Sequence, residues 1–186
     1  MFGLVNDQAL AKKALEGSGD AWERLVKKHE KNIYNYGLRM LGSPDQALDL
    51  LQETFFAVFR NLHQYDGVGS FSGWILKIAS NRCIDLLRKR NPAAPKDDPD
   101  PAFEGLTETR LNPEETLHLS AEKNRLVQAM QKLPPEQAVI LELKFFHGLT
   151  LDEVADHCGT STNTVKSRFY SALKKMKIHL EAQNVA

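Results

Sequence analysis

The segment from Leu149 to Met176, LTLDEVADHCGTSTNTVKSRFYSALKKM, limits the possible fold more than any other part of the chain. Thr150 and Glu153 have the spacing of a capping box, which marks the start of a helix. Gly159 can take the positive φ that a tight turn requires. A second helix is expected to begin at Ser161 or at the residue after it. The segment therefore predicts two helices joined by a sharp turn.

The residues of these two helices sort into apolar and polar faces. The apolar residues of the first helix share one face, at positions i, i+3, i+4 and i+7: Leu151, Val154, Ala155 and Cys158. The second helix has an apolar face of Val165, Phe169, Ala172, Leu173 and Met176. Its other face carries hydrogen-bonding groups and cations: Asn163, Thr164, Lys166, Ser167, Tyr170, Ser171 and Lys174. This pattern predicts a helix-turn-helix whose second helix enters the major groove. A helical hairpin with a solvated face is disfavoured, because the cap, the turn and the basic face agree.

The charge distribution supports a nucleic-acid interaction that the overall charge hides. The formal net charge is zero, which by itself argues against such binding. However, residues 72–92 contain five Lys/Arg and one Asp, and residues 160–186 contain five Lys/Arg and one Glu. Residues 91–122 contain two cations and eight acids. The neutral total therefore arises from two basic stretches around an acidic one.

Several classes of protein are disfavoured by composition. The N-terminal residues have no basic flank, and no apolar run approaches the roughly 20 residues of a membrane span, so we expect an intracellular, soluble protein without membrane insertion. Cys83 and Cys158 are too few for a disulfide framework, and both are expected to be buried structural thiols. His29 is interpreted as a histidine at the edge of the core. No His/Cys/Asp cluster has metal-ligand spacing, so no metal or cofactor is expected.

The remaining pattern is helical throughout and falls into two parts. Six further helices are expected, at about Gln8–Leu15, Asp20–Leu41, Asp45–Leu62, from Trp74 onward, near Thr116–Leu133 and at Glu136–Phe146. Prolines and acids interrupt the chain from Asn91 to about Glu115, which predicts an extended or disordered linker. The fold is therefore expected to be all-α, with two small helical domains.

The third helix has two contrasting faces. Its expected core stripe is Leu48, Leu51, Phe55, Val58, Phe59 and Leu62. Its first turns carry a polar and acidic set: Asp45, Asp49, Gln52 and Glu53. These acids either stabilise the helix N-terminus or form a docking surface for a partner, and the pattern leaves both interpretations open.

A loop with three glycines, Tyr65 to Gly73, precedes the fourth helix. Aromatic side chains beside a flexible loop and a basic helix suit unstacked single-stranded bases, since aromatic rings stack on any base. Phe71 and Trp74 can equally belong to the core, and taken singly that is the favoured interpretation.

These features together resemble the extracytoplasmic-function sigma factors, the two-domain members of the bacterial sigma family. The resemblance runs from about Gln8 to Leu180, apart from the linker. It rests on six elements in the family's order: GDAW at 19–22, RMLG at 39–42, DLLQETF at 49–55, FSGW at 71–74 with IASN at 78–81 and Asp85, LPPE at 133–136 and TVKSR at 164–168.

The resemblance implies a role for each set of residues. Contacts with the clamp helices of RNA polymerase are implied for Asp45, Asp49, Gln52, Glu53 and Phe55. Binding of the melted minus-ten element is implied for Tyr65, Asp66, Ser70, Phe71, Trp74, Lys77, Asn81, Arg82 and Arg88. Binding of the minus-thirty-five element is implied for Asn163, Thr164, Lys166, Ser167, Arg168, Tyr170, Ser171 and Lys174.

The resemblance also implies domains and partners. Sigma region 2 would occupy residues 1–91, the linker residues 92–115 and sigma region 4 residues 116–186. Core RNA polymerase, through its beta-prime clamp helices and beta flap, promoter DNA and an anti-sigma factor are the implied partners. The protein would be cytoplasmic, or held at the membrane through an anti-sigma factor. The alternative is a helix-turn-helix regulator that binds duplex DNA without core polymerase. An enzyme is disfavoured, because the sequence has no phosphate-binding loop and no nucleophile-base set.

Overall fold

A computed structural model describes residues 6–90 and 119–183 of the chain. Over these residues the predicted all-α fold is confirmed, with eight α-helices, one short 3-10 helix and no strand. The chain divides into two compact units, unit one ending at Leu86 and unit two beginning at Leu87. The predicted linker at 92–115 lies outside the described residues, and the predicted domain bounds at 91 and 116 remain predictions.

Unit one is built from the first four helices. Their bounds are α1 Asp7–Leu15, α2 Gly19–Leu41, α3 Pro44–Asn61, a 3-10 helix over Leu62–Gln64, and α4 Phe71–Arg90, whose last residues pass the unit boundary. The helix α2 begins at Gly19, one residue before its predicted start at Asp20, because the Ser18 hydroxyl accepts a hydrogen bond from the Ala21 N–H at 3.3 Å. The helix α4 begins at Phe71 and not at Trp74, since the Ser70 hydroxyl accepts from the Gly73 N–H at 3.0 Å.

A close contact between α2 and α3 of unit one lies at Gly37 of α2. A Cβ atom at this position would lie 3.1 Å from the Ala47 Cα atom and 3.2 Å from Leu50 Cδ2 of α3. A larger residue at this position would therefore require α3 to shift by a few tenths of an ångström, and glycine avoids that shift. The large side chains that are fully buried in unit one include Leu25, Ile33, Tyr36, Met40, Leu50, Val58, Phe71 and Ile75.

The core-facing stripe of α3 differs from the predicted one. Leu48 and Phe59, predicted to be core, are 45% and 60% exposed. Phe55, Val58 and Leu62 are buried as predicted, and the stripe also includes four positions that were not predicted: Ala47, Leu50, Thr54 and Ala57. Apolar residues occur around most of this helix, so the sequence periodicity did not fix its rotation, whereas the close approach at Gly37 requires Ala47 and Leu50 to face α2.

The first helix is fixed to α2 at its N-terminus. Leu10 and Ala11 are buried, and the Asp7 carboxylate lies 2.6 Å from Lys28 Nζ and 3.2 Å from His29 Nε2. His29 is 7% exposed, which confirms its prediction as a core-edge residue. Burial lowers the pKa of its imidazole, and the Asp7 carboxylate opposes that shift in part.

Unit two is built from four helices: α5 Leu119–Met130, α6 Pro135–Phe146, α7 Leu151–Cys158 and α8 Thr162–Gln183. Its core includes Met130, Val139, Ile140, Leu143, Val154, Val165 and Ala172. Cys83 is buried in α4, as predicted, but Cys158 is exposed, so its predicted burial is wrong. Cys158 is the last residue of an eight-residue helix, where the left-handed Gly159 turns the chain away from the apolar face.

Candidate nucleic-acid interfaces

The acids of α3 form an exposed polar face on unit one. Asp45, Asp49, Gln52 and Glu53 are all exposed. Phe55, which the resemblance assigned to this face, is only 8% exposed and packs edge-on against Trp22, with ring centroids 6.1 Å apart. An exposed aromatic on this face is Phe56, at 66%. Phe56 was not predicted from the sequence, although its spacing from Gln52 and Glu53, i+4 and i+3, places it beside them.

The loop before α4 is held in shape by its own side chains. The Asp66 carboxylate accepts a hydrogen bond from the Val68 N–H at 2.8 Å, and the Tyr65 hydroxyl donates to the Gly69 carbonyl at 3.2 Å. Gly67 and Gly69 both have a φ of +78°, a conformation that other residues rarely adopt. Burial raises the pKa of the Tyr65 phenol, and the carboxylates of Asp7 and Asp66 add to the shift. The phenol therefore remains a hydrogen-bond donor at neutral pH.

Three aromatic rings lie together beneath this loop. The Tyr65 ring centroid lies 5.0 Å from that of Phe71 and 5.5 Å from that of Trp74. Phe71 is 1% exposed and belongs to the core, as favoured from the sequence, whereas Tyr65 and Trp74 are half-buried. The cluster thus presents two partly accessible rings, which suits stacking on a base.

One face of α4 continues from this cluster as a polar stripe. Trp74, Lys77, Asn81 and Arg88 follow at helical spacing, and the last three are exposed. Arg82 is also exposed and lies beside α3, where it pairs with Glu53. The stripe can follow a negatively charged backbone that leaves the aromatic cluster.

In unit two the predicted capping box of α7 is confirmed. The Thr150 hydroxyl accepts from the Glu153 N–H at 3.2 Å, and Glu153 Oε2 accepts from the Thr150 N–H at 2.7 Å. The hydrogen bond from the Thr150 backbone is the main cause that lowers the pKa of Glu153. Gly159 ends the helix with a φ of +65°, as predicted.

The turn leads directly into α8. The Ser161 hydroxyl accepts from the Thr164 N–H at 3.1 Å, and the Thr162 hydroxyl donates to Asp152 Oδ1 at 2.8 Å. The turn is therefore held from both helices, which supports a fixed orientation of α8 relative to α7.

The predicted recognition residues of α8 divide by exposure. Asn163, Lys166 and Lys174 are exposed. A second group is half-buried: Thr164, Ser167, Arg168, Tyr170 and Ser171. The Ser171 hydroxyl accepts from Nε2 of the buried Gln137 at 3.4 Å, so this side chain contacts α6. Two of the three exposed recognition residues, Asn163 and Lys166, thus lie in the first two turns of α8.

Metal and membrane features are absent from residues 6–90 and 119–183. These residues contain no group of three or more His, Cys, Asp or Glu side chains that could hold a metal ion. None of their helices is both long enough and apolar enough to cross a membrane.

Within the described residues, an all-α fold with acids exposed on α3, a partly accessible aromatic cluster and a helix-turn-helix is typical of DNA-binding proteins of the helix-turn-helix class. Comparison with known families refines this class. The family model "Sigma-70 region 2" matches residues 25–92, and "Sigma-70, region 4" matches residues 123–176.

Curated relatives match over most of the chain. The ECF RNA polymerase sigma factor SigE of Mycolicibacterium smegmatis is 31% identical, over 94% of this chain and 69% of that protein. The ECF RNA polymerase sigma factor RpoE of Cereibacter sphaeroides is 32% identical, over 86% of each. SigW of Bacillus subtilis is 29% identical, over 91% of this chain and 94% of that protein. The chain belongs to the family of ECF RNA polymerase sigma factors.

Solved structures agree on the fold. The structure of CnrH in complex with the cytosolic domain of CnrY has a TM-score of 0.65 at 24% identity and covers 95% of this chain and 97% of that one. The sigma factor RpoE of Bartonella quintana, crystallised with the anti-sigma factor NepR, has a TM-score of 0.60 at 19% identity, with 86% and 96% covered.

Proposed function

We propose that this protein directs promoter-specific initiation of transcription by binding core RNA polymerase and recognising the minus-ten and minus-thirty-five elements of promoter DNA. The observation that carries the proposal is that sigma region 2 and sigma region 4 both match, in order, while relatives named as ECF sigma factors match nearly the whole chain. The protein is a specificity subunit and not an enzyme. Its domains are region 2 at 1–91, a linker at 92–115 and region 4 at 116–186.

The exposed acidic face of α3 is the surface that binds the clamp helices of the polymerase. Exposed carboxylates at Asp49 and Glu53, next to the apolar ring of Phe56, support this role. Charge on such a surface sets the association rate and the orientation of the partner, and a central aromatic contributes affinity.

Region 2 captures the melted minus-ten strand. The loop from Tyr65 to Ser70 holds an extruded base against the rings of Tyr65 and Trp74, and the polar stripe of α4 follows the strand. Unstacked bases are available only in the melted duplex. Region 2 binds these bases, so it shifts the equilibrium toward the open complex.

Region 4 binds the duplex minus-thirty-five element through α8. Lys166 and Asn163 are both exposed and lie close to the N-terminus of α8. This position supports Lys166 as a phosphate contact and Asn163 as a residue near base edges. The half-buried Ser171, which contacts Gln137, has a smaller share of the interface.

An anti-sigma factor is a further partner in this proposal. Two neighbours in fold were solved with partners, CnrH with the cytosolic domain of CnrY and RpoE with the anti-sigma factor NepR, which supports the expectation. The protein would act in the cytoplasm, free or held at the membrane by such a partner.

Run-off transcription on a genomic fragment library tests the proposal. The reactions contain core polymerase alone, core polymerase with the full chain, and the chain alone with duplex DNA. We expect new RNA start sites that share two upstream elements only when both proteins are present. No new start site on any template would overturn the proposal, and tight binding to a palindromic duplex without polymerase would support an ordinary helix-turn-helix regulator.

A further inference from the structure

A cleft in unit one lies between α1 and the loop proposed to hold the base. Its volume is about 350 Å³, near the lower limit for sites that enclose a small ligand. One wall is formed by the α1 residues Gln8, Ala11, Lys12 and Leu15, and the other by Tyr65 to Gly67. The loop therefore has a facing wall, and that wall comes from a helix to which neither the family match nor the resemblance gives a role.

The α1 wall is one face of a fixed helix. Its residues follow at i, i+3, i+4 and i+7, the spacing of a single helical face. Asp7 fixes the beginning of α1 through Lys28 and His29, and buried Ala11 forms the base of the wall. Lys12 is exposed, and Leu15 is 51% exposed, so neither is needed to fill the core.

A direct hydrogen bond joins the two walls. Gln8 Nε2 donates to the Gly67 carbonyl at 2.5 Å, across 59 residues of sequence. Gly67 has a φ of +78°, and a Cβ atom placed there would lie 3.0 Å from the same Gln8 nitrogen. Tyr65 and Asp66 fix the loop from within, and Gln8 fixes it from outside. The amide of Gln8 therefore sets the position of the loop relative to α1.

We propose that α1 is the second wall of the base-holding site, in which Gln8 positions the loop and Lys12 contacts the phosphate of the extruded nucleotide. This inference rests on the proposed function of the loop. The half-buried Tyr65 ring provides the stacking surface, and the lysine supplies a positive charge on the opposite wall. A nucleotide is the ligand that needs both, since its base stacks while its phosphate requires a cation.

The test uses the full chain with core polymerase on a premelted promoter found by the run-off experiment. Single abasic sites are placed one at a time along the melted non-template strand, and uncharged methylphosphonate linkages are scanned in the same way. The variants are Gln8→Ala and Lys12→Gln. Lys13→Gln is the matched control, because Lys13 is an exposed cation on the same helix but does not line the cleft.

For the wild type, one abasic position is expected to reduce open-complex formation roughly fivefold or more. Gln8→Ala should reduce open-complex formation on the intact template relative to the wild type. On the template with that abasic position, the variant and the wild type should be equal. Lys12→Gln should lower the slope of log affinity against log salt by about 1. At the neighbouring uncharged linkage, this variant should show no further loss of open-complex formation. Lys13→Gln should match the wild type in both scans. A purely structural role for Gln8 would reduce binding equally at every position of the scan.

Two other results are informative. If the wild type transcribes but either α1 variant shows no position-specific coupling, the inference about α1 is overturned while the proposed function stands. If the wild type creates no start sites with core polymerase, the proposed function is overturned, and the role of α1 with it.

Discussion

Glu53 of α3 and Arg82 of α4 form an ion pair, with Oε2 and Nη1 3.3 Å apart. In the proposed function these residues belong to different interfaces, Glu53 to the polymerase and Arg82 to the melted strand. Both side chains are nearly half exposed, and such pairs contribute only about 0–1 kcal/mol to stability. Each residue can therefore exchange this ion pair for a contact with its proposed partner at little cost in stability. The ion pair also places the two proposed interfaces side by side on unit one.

The first prediction concerns polymerase binding. Glu53→Lys should weaken association with core polymerase about tenfold or more, because it reverses a charge in the docking face and adds a cation beside Arg82. A pull-down or competition assay with core enzyme measures the loss. Glu16→Lys is the matched control, since Glu16 is an exposed acid outside α3. Normal capture of Glu53→Lys would reject the docking role.

The second prediction concerns the salt dependence of promoter binding. The isolated chain should bind duplex DNA weakly, and its affinity should fall steeply as salt rises, because cations on α8 displace counterions. Lys166→Gln should reduce the slope of log affinity against log salt by about 1. Lys177→Gln should leave it unchanged, since Lys177 lies further along α8 and 3.9 Å from Glu181. An affinity independent of salt would contradict the interface.

The third prediction concerns the capping box of the helix-turn-helix. Thr150→Ala should destabilise α7 by about 1 kcal/mol, whereas Thr150→Ser keeps the hydroxyl and should cost less. Hydrogen exchange of the α7 amides measures the difference.

The same cap should make the stability of α7 depend on pH. The pKa of Glu153 is lowered, so the carboxylate stabilises the helix fully above its ordinary pKa of 4.5, and this contribution is lost as the pH falls through the folded pKa. Glu153→Gln should remove that dependence. Equal exchange in Thr150→Ala and Thr150→Ser would show that the cap is unimportant.

The fourth prediction concerns acid stability of unit one. Burial lowers the pKa of His29 from 6.5, so the unfolded chain binds a proton more readily than the folded one. The resulting stability is complete above about pH 6.5 and is lost as the pH falls toward the folded pKa. Urea unfolding followed by tryptophan fluorescence reports unit one alone, because Trp22 and Trp74 are the only tryptophans of the chain.

His29→Gln should therefore flatten the loss of stability as the pH falls below about 6.5. The control is His63→Gln, at an exposed histidine of the 3-10 helix, which should behave as the wild type. An unchanged pH profile in His29→Gln would assign the acid sensitivity to other groups.

The sequence predicted those parts of the structure that depend on neighbouring residues. The capping box at Thr150 and the left-handed turn at Gly159 were both correct, since each depends on a few adjacent positions. The core-facing side of α3 was only partly correct, with Phe55 buried but Leu48 and Phe59 exposed, because apolar residues lie around most of its circumference. The contact of Gly37 with Ala47 that fixes its rotation has no periodic signal in the sequence.

The candidate site shows the same division. The exposed acids of α3 and cations of α4 could be read from their spacing, and so could Phe56, which was overlooked. The inward contact of Ser171 with Gln137 depends on how α6 packs, and the bond from Gln8 to Gly67 joins residues 59 positions apart. Neither pairing leaves a local pattern, so both required the structure.

The position of α1 has a practical consequence for work with truncated fragments. The region 2 match starts at residue 25, while α1 ends at Leu15. A fragment cut at residue 25 would deprive His29 of its carboxylate neighbour and Gly67 of its amide donor, yet would retain the whole region 2 match. Any shortened version of this half intended for crystallography or NMR therefore has to start ahead of Asp7.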